Sequence, residues 1–280
     1  FRHIQDGADD FPLQYFFDVR DAIKRIRLEN THLEESELFD LRRSLQTIND
    51  IVRYLNRAED KGEDVDPAPL YPALYRLTQD VATYPQLVQG IDQILDKFGH
   101  IRDNASPELL NIRRELARAE SSVSKTLYSI LRSAQSEGLV DKDVTPTLRD
   151  GRLVIPVMPG MKRKISGIVH DESATGKTVF IEPSEVVEAN NRIRELESEE
   201  RHEIIRILTT FTNKVRPHSR DILESYSFLA TIDFIRAKAE LAKLTKAIEP
   251  EITDKPHVDW IQSRHPLLQL SLEKQGKKVV

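Results

Sequence analysis

The sequence predicts a mainly α protein: a helical core with two long antiparallel lever helices that carry a small antiparallel β clamp unit at their tip. Three observations predict it. Leu, Ile, Glu and Arg are abundant, while glycine is held to 10 of 280 residues and aromatic residues to 6%, a balance that favours helix. Two stretches, 106–138 and 183–215, read as helices too long for the middle of a compact ball, so they are expected to project. Between them, only 147–183 turns β-prone, in short runs separated by turn residues.

Residues 1–105 are expected to be the N-terminal part of the core. Over 12–29, a short lead-in gives way to a helix with Val19, Ala22, Ile23 and Ile26 on one face. Over 34–58, Leu38, Leu41, Leu45, Ile48, Val52 and Leu55 recur at steps of three and four, the spacing that lines one helix face. The segment 59-EDKGEDVDPAP-69 is polar with Gly and Pro, hence a surface loop. Helical patches follow at 70–83 and 86–98, the second with Gly99 as its C-cap.

The outgoing lever and its linker occupy 106–146. Ser106 can cap the helix, Pro107 suits its first position and Glu108 its positive dipole end, while Gly138 suits the far end. Leu109, Ile112, Leu116, Ala119, Val123, Thr126 and Ile130 alternate steps of three and four, a heptad seam with Thr126 its one polar member. At 1.5 Å per residue such a helix is about 45 Å long. Its seam is expected to pack on the returning helix.

The β unit, 147–183, is expected to hold three strands, at Leu153–Ile155, Ile165–Val169 and Val179–Ile181. The stretches 156-PVMPGMKRK-164 and 171-DESATGK-177 carry the turn residues between them. The returning lever and a buried core helix fill 184–248. Ile193, Leu196, Ile204, Ile207 and Leu208 form the lever's apolar line, within acidic and basic residues mixed as on a solvent-exposed helix. After Arg216-Pro217, Ser219 can cap a last helix to about Ala247. Its Leu229, Ala230, Ile232, Ile235, Ala239 and Leu241 to Leu244 predict burial. Residues 249–280 read as a connector, irregular around Pro250, Pro256 and Pro266.

Composition excludes several classes. There is no cysteine, so no disulfide frame and no thiolate metal site, which fits a reducing cytoplasm. No apolar run approaches the roughly 18 residues that span a bilayer, and no signal peptide opens the chain, so a cytoplasmic location is expected. The net charge of −5 argues against a uniformly basic nucleic-acid domain and leaves room for a local basic tip. The sequence starts mid-pattern at Phe1-Arg2-His3, which reads as a piece of a longer chain.

Gly176-Lys177-Thr178 ends like a phosphate loop. The full pattern needs a glycine five residues earlier and a helix after the Lys-Thr pair. Asp171 stands where that glycine belongs, and Val179-Phe180-Ile181 before Glu182-Pro183 reads as a strand. A glycine turn between two strands fits better than an ATP site. Lys162-Arg163-Lys164 is the candidate for phosphate contact by charge, with Arg149, Arg152 and Lys177 as further candidates. The structural alternative is a solvated turn that keeps strand edges apart. His170-Asp171-Glu172 converges poorly on one metal, because strand neighbours point to opposite faces. His202-Glu203 lacks the second His of a zinc helix, since position 206 is Arg. No catalytic residue, cofactor site or metal site is therefore expected.

Five phrases carry a resemblance to a known family: 149-RDGRLVIPV-157, 167-GIVHDESATGKTVFIEP-183, 186-VVEANNRIRELE-197, 229-LATIDFIRAKAELA-242 and 264-RHPLL-268. They resemble the lever, clamp and core region of the type-2 branch of the bacterial MutS family, over nearly the whole chain. The resemblance implies a lever and clamp that hold DNA, branched or duplex, without reading sequence. It implies a homodimer in the full-length protein, with ATP and Mg bound by an ATPase domain after the RHPLL-like phrase and a small Smr nuclease domain beyond it. Both are expected to lie outside this chain, which is then not itself an enzyme. It implies roles in DNA repair, in restraining recombination and in ribosome rescue. The alternative readings are a helical scaffold that binds protein or ribosome and RNA partners through 188–206, and a nucleotide-binding enzyme using Gly176-Lys177-Thr178.

Overall fold

The computed structural model describes residues 10–13, 16–59, 68–261 and 263–277. Its helices are α1 (Arg20–Arg25), α2 (Glu35–Leu55), α3 (Pro72–Arg76), α4 (Pro85–Ile94), α5 (Pro107–Ser136), α6 (Val187–Val215), α7 (Ser219–Leu244) and α8 (Pro266–Lys274). Its strands are β1 (Ala58–Glu59), β2 (Ala68–Pro69), β3 (Thr147–Arg149), β4 (Arg152–Val157), β5 (Gly167–Glu172) and β6 (Val179–Pro183). The protein is mainly helical with one small four-stranded antiparallel sheet and a two-stranded ribbon of β1 and β2. Most of the predicted loop, 60–67, lies outside the described residues. The helix expected after a lead-in within 12–29 is the six-residue α1, capped at Ile26, and the chain enters the left-handed region at Asn30, φ 64°. Helix α8 falls inside the predicted connector; Pro266 at its start and the His265 ring accepting from Leu268 N are the local signals for it.

The chain divides into two compact units. In the unit formed by Phe1–Arg27, Asp40–Val88 and Val215–Val280, Ile48, Ile51, Tyr54 and Leu55 of α2 pack with Phe228, Leu229 and Ile232 of α7. The predicted stripe on α2 shifts slightly: Ile51 is fully buried and Val52 only partly. Two of its buried polar groups find partners within the unit. Asn49 Oδ1 accepts from Tyr84 N at 3.0 Å, and the Tyr226 hydroxyl donates to Phe17 O at 3.1 Å. Helix α7 corrects the prediction of burial. Its first half is buried, but Phe234, Leu241 and Leu244 are 64%, 55% and 58% exposed. A helix apolar on all sides needs cover on all sides, and the described residues cover only the side of Ile232 and Ala239.

In the unit formed by Leu28–Phe39 and Gln89–Lys214, α5 starts as predicted, with Ser106 Oγ accepting from Leu109 N at 3.0 Å. The same hydroxyl donates to Glu203 Oε1 on α6 at 2.5 Å. Farther along, Arg113 Nε donates to Glu200 at 2.7 Å and Arg192 pairs with Glu115 at 3.1 Å. Contacts advance along α5 as they retreat along α6, so the two helices run antiparallel. The buried stripe of α5 drifts from the predicted seam. Leu109, Ile112 and Val123 lie on it, but then Leu127, Leu131 and Ala134 take over from Thr126 and Ile130. A straight helix of 3.6 residues per turn slips about 20° per heptad against a 3.5 repeat. In addition, the sheet covers this end: Val123, Leu127 and Leu131 share a core with Ile155, Val157, Val179, Ile181 and Ile193.

The strand order is β3-β4-β6-β5, each neighbour antiparallel to the next. Two features depart from the predicted three-stranded unit. Strand β3 was not predicted; it is three residues long, and Asp150-Gly151 closes its hairpin with φ of 47° and 72°. That pair of positive φ values marks a type I′ turn, and the Asp-Gly dipeptide is its signal. The segment 158–166 is also not a turn between neighbours. It is a connection that takes the chain from β4 past β6 to β5, so β4 and β5 run parallel on either side of β6.

Gly167 is required where β5 meets β6. A Cβ there would lie 2.2 Å from Glu182 O and 2.9 Å from Ile181 Cγ2. Backbone cannot give way as a side chain can, so Gly167→Ala is expected to pry the strands apart at a cost of about 1–3 kcal/mol. Urea denaturation checks this; an unchanged midpoint would mean that the sheet end absorbs the methyl freely.

Candidate nucleic-acid interface

The register places each candidate. Val157, Val179 and Glu172 mark one end of the sheet, which also carries the short 3-10 helix Pro159–Met161 and the β5–β6 hairpin. Arg152, Gly167 and Pro183 mark the other end, from which α6 departs through Ser184–Val186. Lys162, Arg163 and Lys164 follow the 3-10 turn on the connection between the ends, and all three are exposed. Hydrophobic anchors hold this stretch on both sides: Met161 packs against the shared core and Ile165 is buried in it. Lys164 N donates to Met161 O at 2.9 Å, tightening the turn. The three side chains make no ion pair among the described residues. Three adjacent charges on an anchored turn cannot neutralise one another, which leaves their field directed at solvent.

Lys177 is exposed in the β5–β6 hairpin, near the sheet end where the basic run begins. Gly176 has φ 65°, its N–H donates to Ser173 O at 2.7 Å, and Ser173 Oγ accepts from Thr178 N at 3.0 Å. A strand, not a helix, follows Thr178. The amide cradle of a phosphate loop needs that helix, so Gly176-Lys177-Thr178 is a hairpin turn.

The arginines sit differently. Arg149 stacks 4.2 Å from the Phe180 ring centroid and lies 3.6 Å from Asp171, with part of its guanidinium open to solvent. Arg152 is a correction to the predicted phosphate set. Its side chain is 14% exposed, its Nη1 donates to Glu182 Oε1 at 2.7 Å and Oε2 at 3.0 Å, and its Nη2 donates to Asn191 Oδ1 at 2.6 Å. A guanidinium committed to a buried carboxylate is not free for phosphate. Glu182 is fully buried and also accepts from Asn190 Nδ2 at 2.7 Å and His170 Nε2 at 2.5 Å. Burial works to raise its pKa. Hydrogen bonds from Asn190, Arg152 and His170 outweigh burial and hold the carboxyl below its usual range.

No family model matches the chain. Curated relatives match nearly all of it. It is 35% identical to Endonuclease MutS2 of a Geobacillus species over 257 residues, covering 92% of this chain and 32% of the relative. It is 35% identical over 265 residues to that of Enterococcus faecalis, covering 95% of this chain and 32% of the relative. With that of Levilactobacillus brevis the identity is 36% over 270 residues, covering 94% and 33%.

The chain belongs to the MutS2 family.

It spans about a third of the length of the MutS2 relatives it matches. Within this MutS2 segment, the side chains that organise the β unit are ones sequence reasoning passed over. Glu182 lies at the end of β6, and Asn190 and Asn191 lie near the start of α6. All lie inside the phrases that carry the resemblance, as do Arg152 and His170. One signal was present: Val179-Phe180-Ile181-Glu182-Pro183 does not alternate, so both faces of β6 are covered, as its burial confirms. A carboxylate in such a strand must find partners. The β-bulge between Val169 and Asp171, which lets His170 reach Glu182, has no sequence signature of its own.

Proposed function

We propose that this segment is the lever and clamp of a DNA-binding MutS2 protein, and that the clamp grips duplex or branched DNA through its phosphates. The observation that carries the reading is the exposed run Lys162-Arg163-Lys164, without ion-pair partners among the described residues, on the β unit of a MutS2 chain. Lys177 extends the basic surface, and Arg149 supplies a partly engaged cation. Such contacts position a protein on DNA and carry no base sequence. The two antiparallel helices, tied by Arg113–Glu200 and Ser106–Glu203, would pass the state of a distant ATPase to the clamp as a rigid pair. The part assigned to this segment is mechanical. The endonuclease activity in the relatives' name, and the ATP and Mg chemistry expected of the family, would reside elsewhere in the whole protein. Homodimer formation, ribosome rescue and a cytoplasmic location are likewise proposals for that whole protein.

The test is fluorescence anisotropy with linear and branched duplexes over a range of salt concentrations. Charge reversal at Lys162, Arg163 and Lys164 together is expected to weaken binding to both and to flatten the log–log salt slope by about 0.9 per lost phosphate contact. Unchanged affinity and slope would remove the basic run from the interface.

A further inference from the structure

Two contacts hold Arg149 on one face of the sheet. Its guanidinium stacks 4.2 Å from the Phe180 ring centroid, and its Nε lies 3.6 Å from Asp171 Oδ2. The β-bulge makes the second contact possible. Phe180 and Glu182 are two residues apart on β6 and so share a face. His170 reaches Glu182, and Asp171 reaches the arginine over Phe180, although consecutive strand residues ordinarily point apart. The irregularity between Val169 and Asp171 turns both toward that face. Asp171 is itself fixed, because its Oδ1 accepts from Glu172 N at 2.8 Å. The ion pair is loose: 3.6 Å exceeds a hydrogen bond, and both side chains are open to solvent. Exposed pairs of this kind are weak. The two terminal amino groups of Arg149 have no hydrogen-bond partner among the described residues, and together they match the fork of a phosphate.

We propose that Asp171 holds Arg149 in reserve for DNA: it keeps the guanidinium on the Phe180 ring in the free clamp and yields it to a phosphate of a bound duplex. The reserve rests on the phosphate grip proposed above and deepens it with a carboxylate that lowers affinity. Phe180 is buried and serves as a fixed platform, so the exchange of partners needs no movement of the sheet. Asp171 pairs with Phe180 one residue in from the sheet end that the Lys177 hairpin closes. A phosphate already held at that end competes with Asp171 at high effective concentration, whereas a free anion does not. Arg149 is thereby a contact added after first capture, not part of it.

Duplex binding by the 280-residue chain, followed by anisotropy across salt, tests this in a double-mutant cycle. Arg149→Gln is expected to weaken binding and to flatten the log–log salt slope by about 0.9, one lost phosphate contact. Asp171→Asn keeps an oxygen for Glu172 N and frees the arginine. It is expected to tighten binding by about two- to fivefold, the strength of an exposed ion pair. Removing any carboxylate near DNA raises affinity somewhat, so Glu172→Gln, at a neighbouring carboxylate without an ion pair among the described residues, sets the baseline. In the Arg149→Gln background the gain from Asp171→Asn should fall to that baseline. Circular dichroism checks folding; should Arg149→Gln not fold, the comparison of Asp171→Asn with Glu172→Gln decides alone. Equal gains at the two carboxylates, a gain that persists without Arg149, or an unchanged slope in Arg149→Gln overturns the proposal. A chain that binds no duplex overturns it together with the phosphate grip. If charge reversal at Lys162, Arg163 and Lys164 weakens binding while the cycle is flat, the reserve fails and the grip stands. If the reversal changes nothing while the cycle holds, the basic run fails and Arg149 stands.

Discussion

Glu182→Ala is expected to lose about 3–5 kcal/mol of folding stability at neutral pH, the cost of breaking a buried ion pair from one side. The carboxylate is fully buried and is the shared acceptor of Arg152 from β4, His170 from β5 and Asn190 from α6. Removing it leaves Arg152 Nη1 without its acceptor and Asn190 with only its 3.3 Å bond to Leu153 O, and an unsatisfied buried donor costs more than the bond was worth. The pH dependence follows from the lowered folded-state pKa of Glu182. Its contribution is fully present above the usual carboxylate range and fades as pH falls through the folded value. Urea denaturation at neutral and acidic pH should show the two proteins converging in acid. A loss below about 1 kcal/mol, the ordinary effect of a point substitution, would mean that Arg152 and Asn190 find new partners and that Glu182 does not organise the unit.

Leu127→Ala is expected to cost about 2–5 kcal/mol, the range for emptying a buried leucine site. Thr126→Ala, one residue away, should stay within about 1 kcal/mol of neutral, because alanine is the better helix former. Leu127 is fully buried in the core shared by α5, α6 and the sheet, while Thr126 is only partly buried. The pair separates two views of α5. The heptad count puts Thr126 on the seam and Leu127 off it; the packed structure does the reverse. Comparable losses at both positions would favour a coiled-coil seam over the drifted stripe. Hydrogen exchange should localise the Leu127→Ala effect to α5 and β4–β6.

How much of the fold could be read in advance depended on whether its cause was local. Ser106, Pro107 and Glu108 mark the start of α5 because a cap acts within one turn, and the structure shows that cap. The runs around Leu153–Ile155 and Val179–Ile181 are strands because β-branched residues favour extended backbone, and the structure places β4 and β6 there. The hairpin nature of Gly176-Lys177-Thr178 followed from Asp171 and from the strand after it, both close in sequence. The exposure of Lys162, Arg163 and Lys164 was legible because three adjacent cations cannot be buried unpaired.

The remainder needed contacts between residues distant in the chain. Nothing near Val157 says that β6, not β5, lies beside β4; that order comes from Ile155 meeting Ile181. Arg152 looked like a phosphate contact because its partner Glu182 is 30 residues away. The C-terminal half of α7 looked buried because propensity registers apolar residues without knowing what covers them, and Phe234 and Leu241 remain in solvent. Helix starts, strand-prone runs and the basic turn were thus written in neighbouring residues. Strand order, the Glu182 partners and the working face of each long helix were set by packing, because burial energy depends on which surfaces meet and sequence neighbours do not record that.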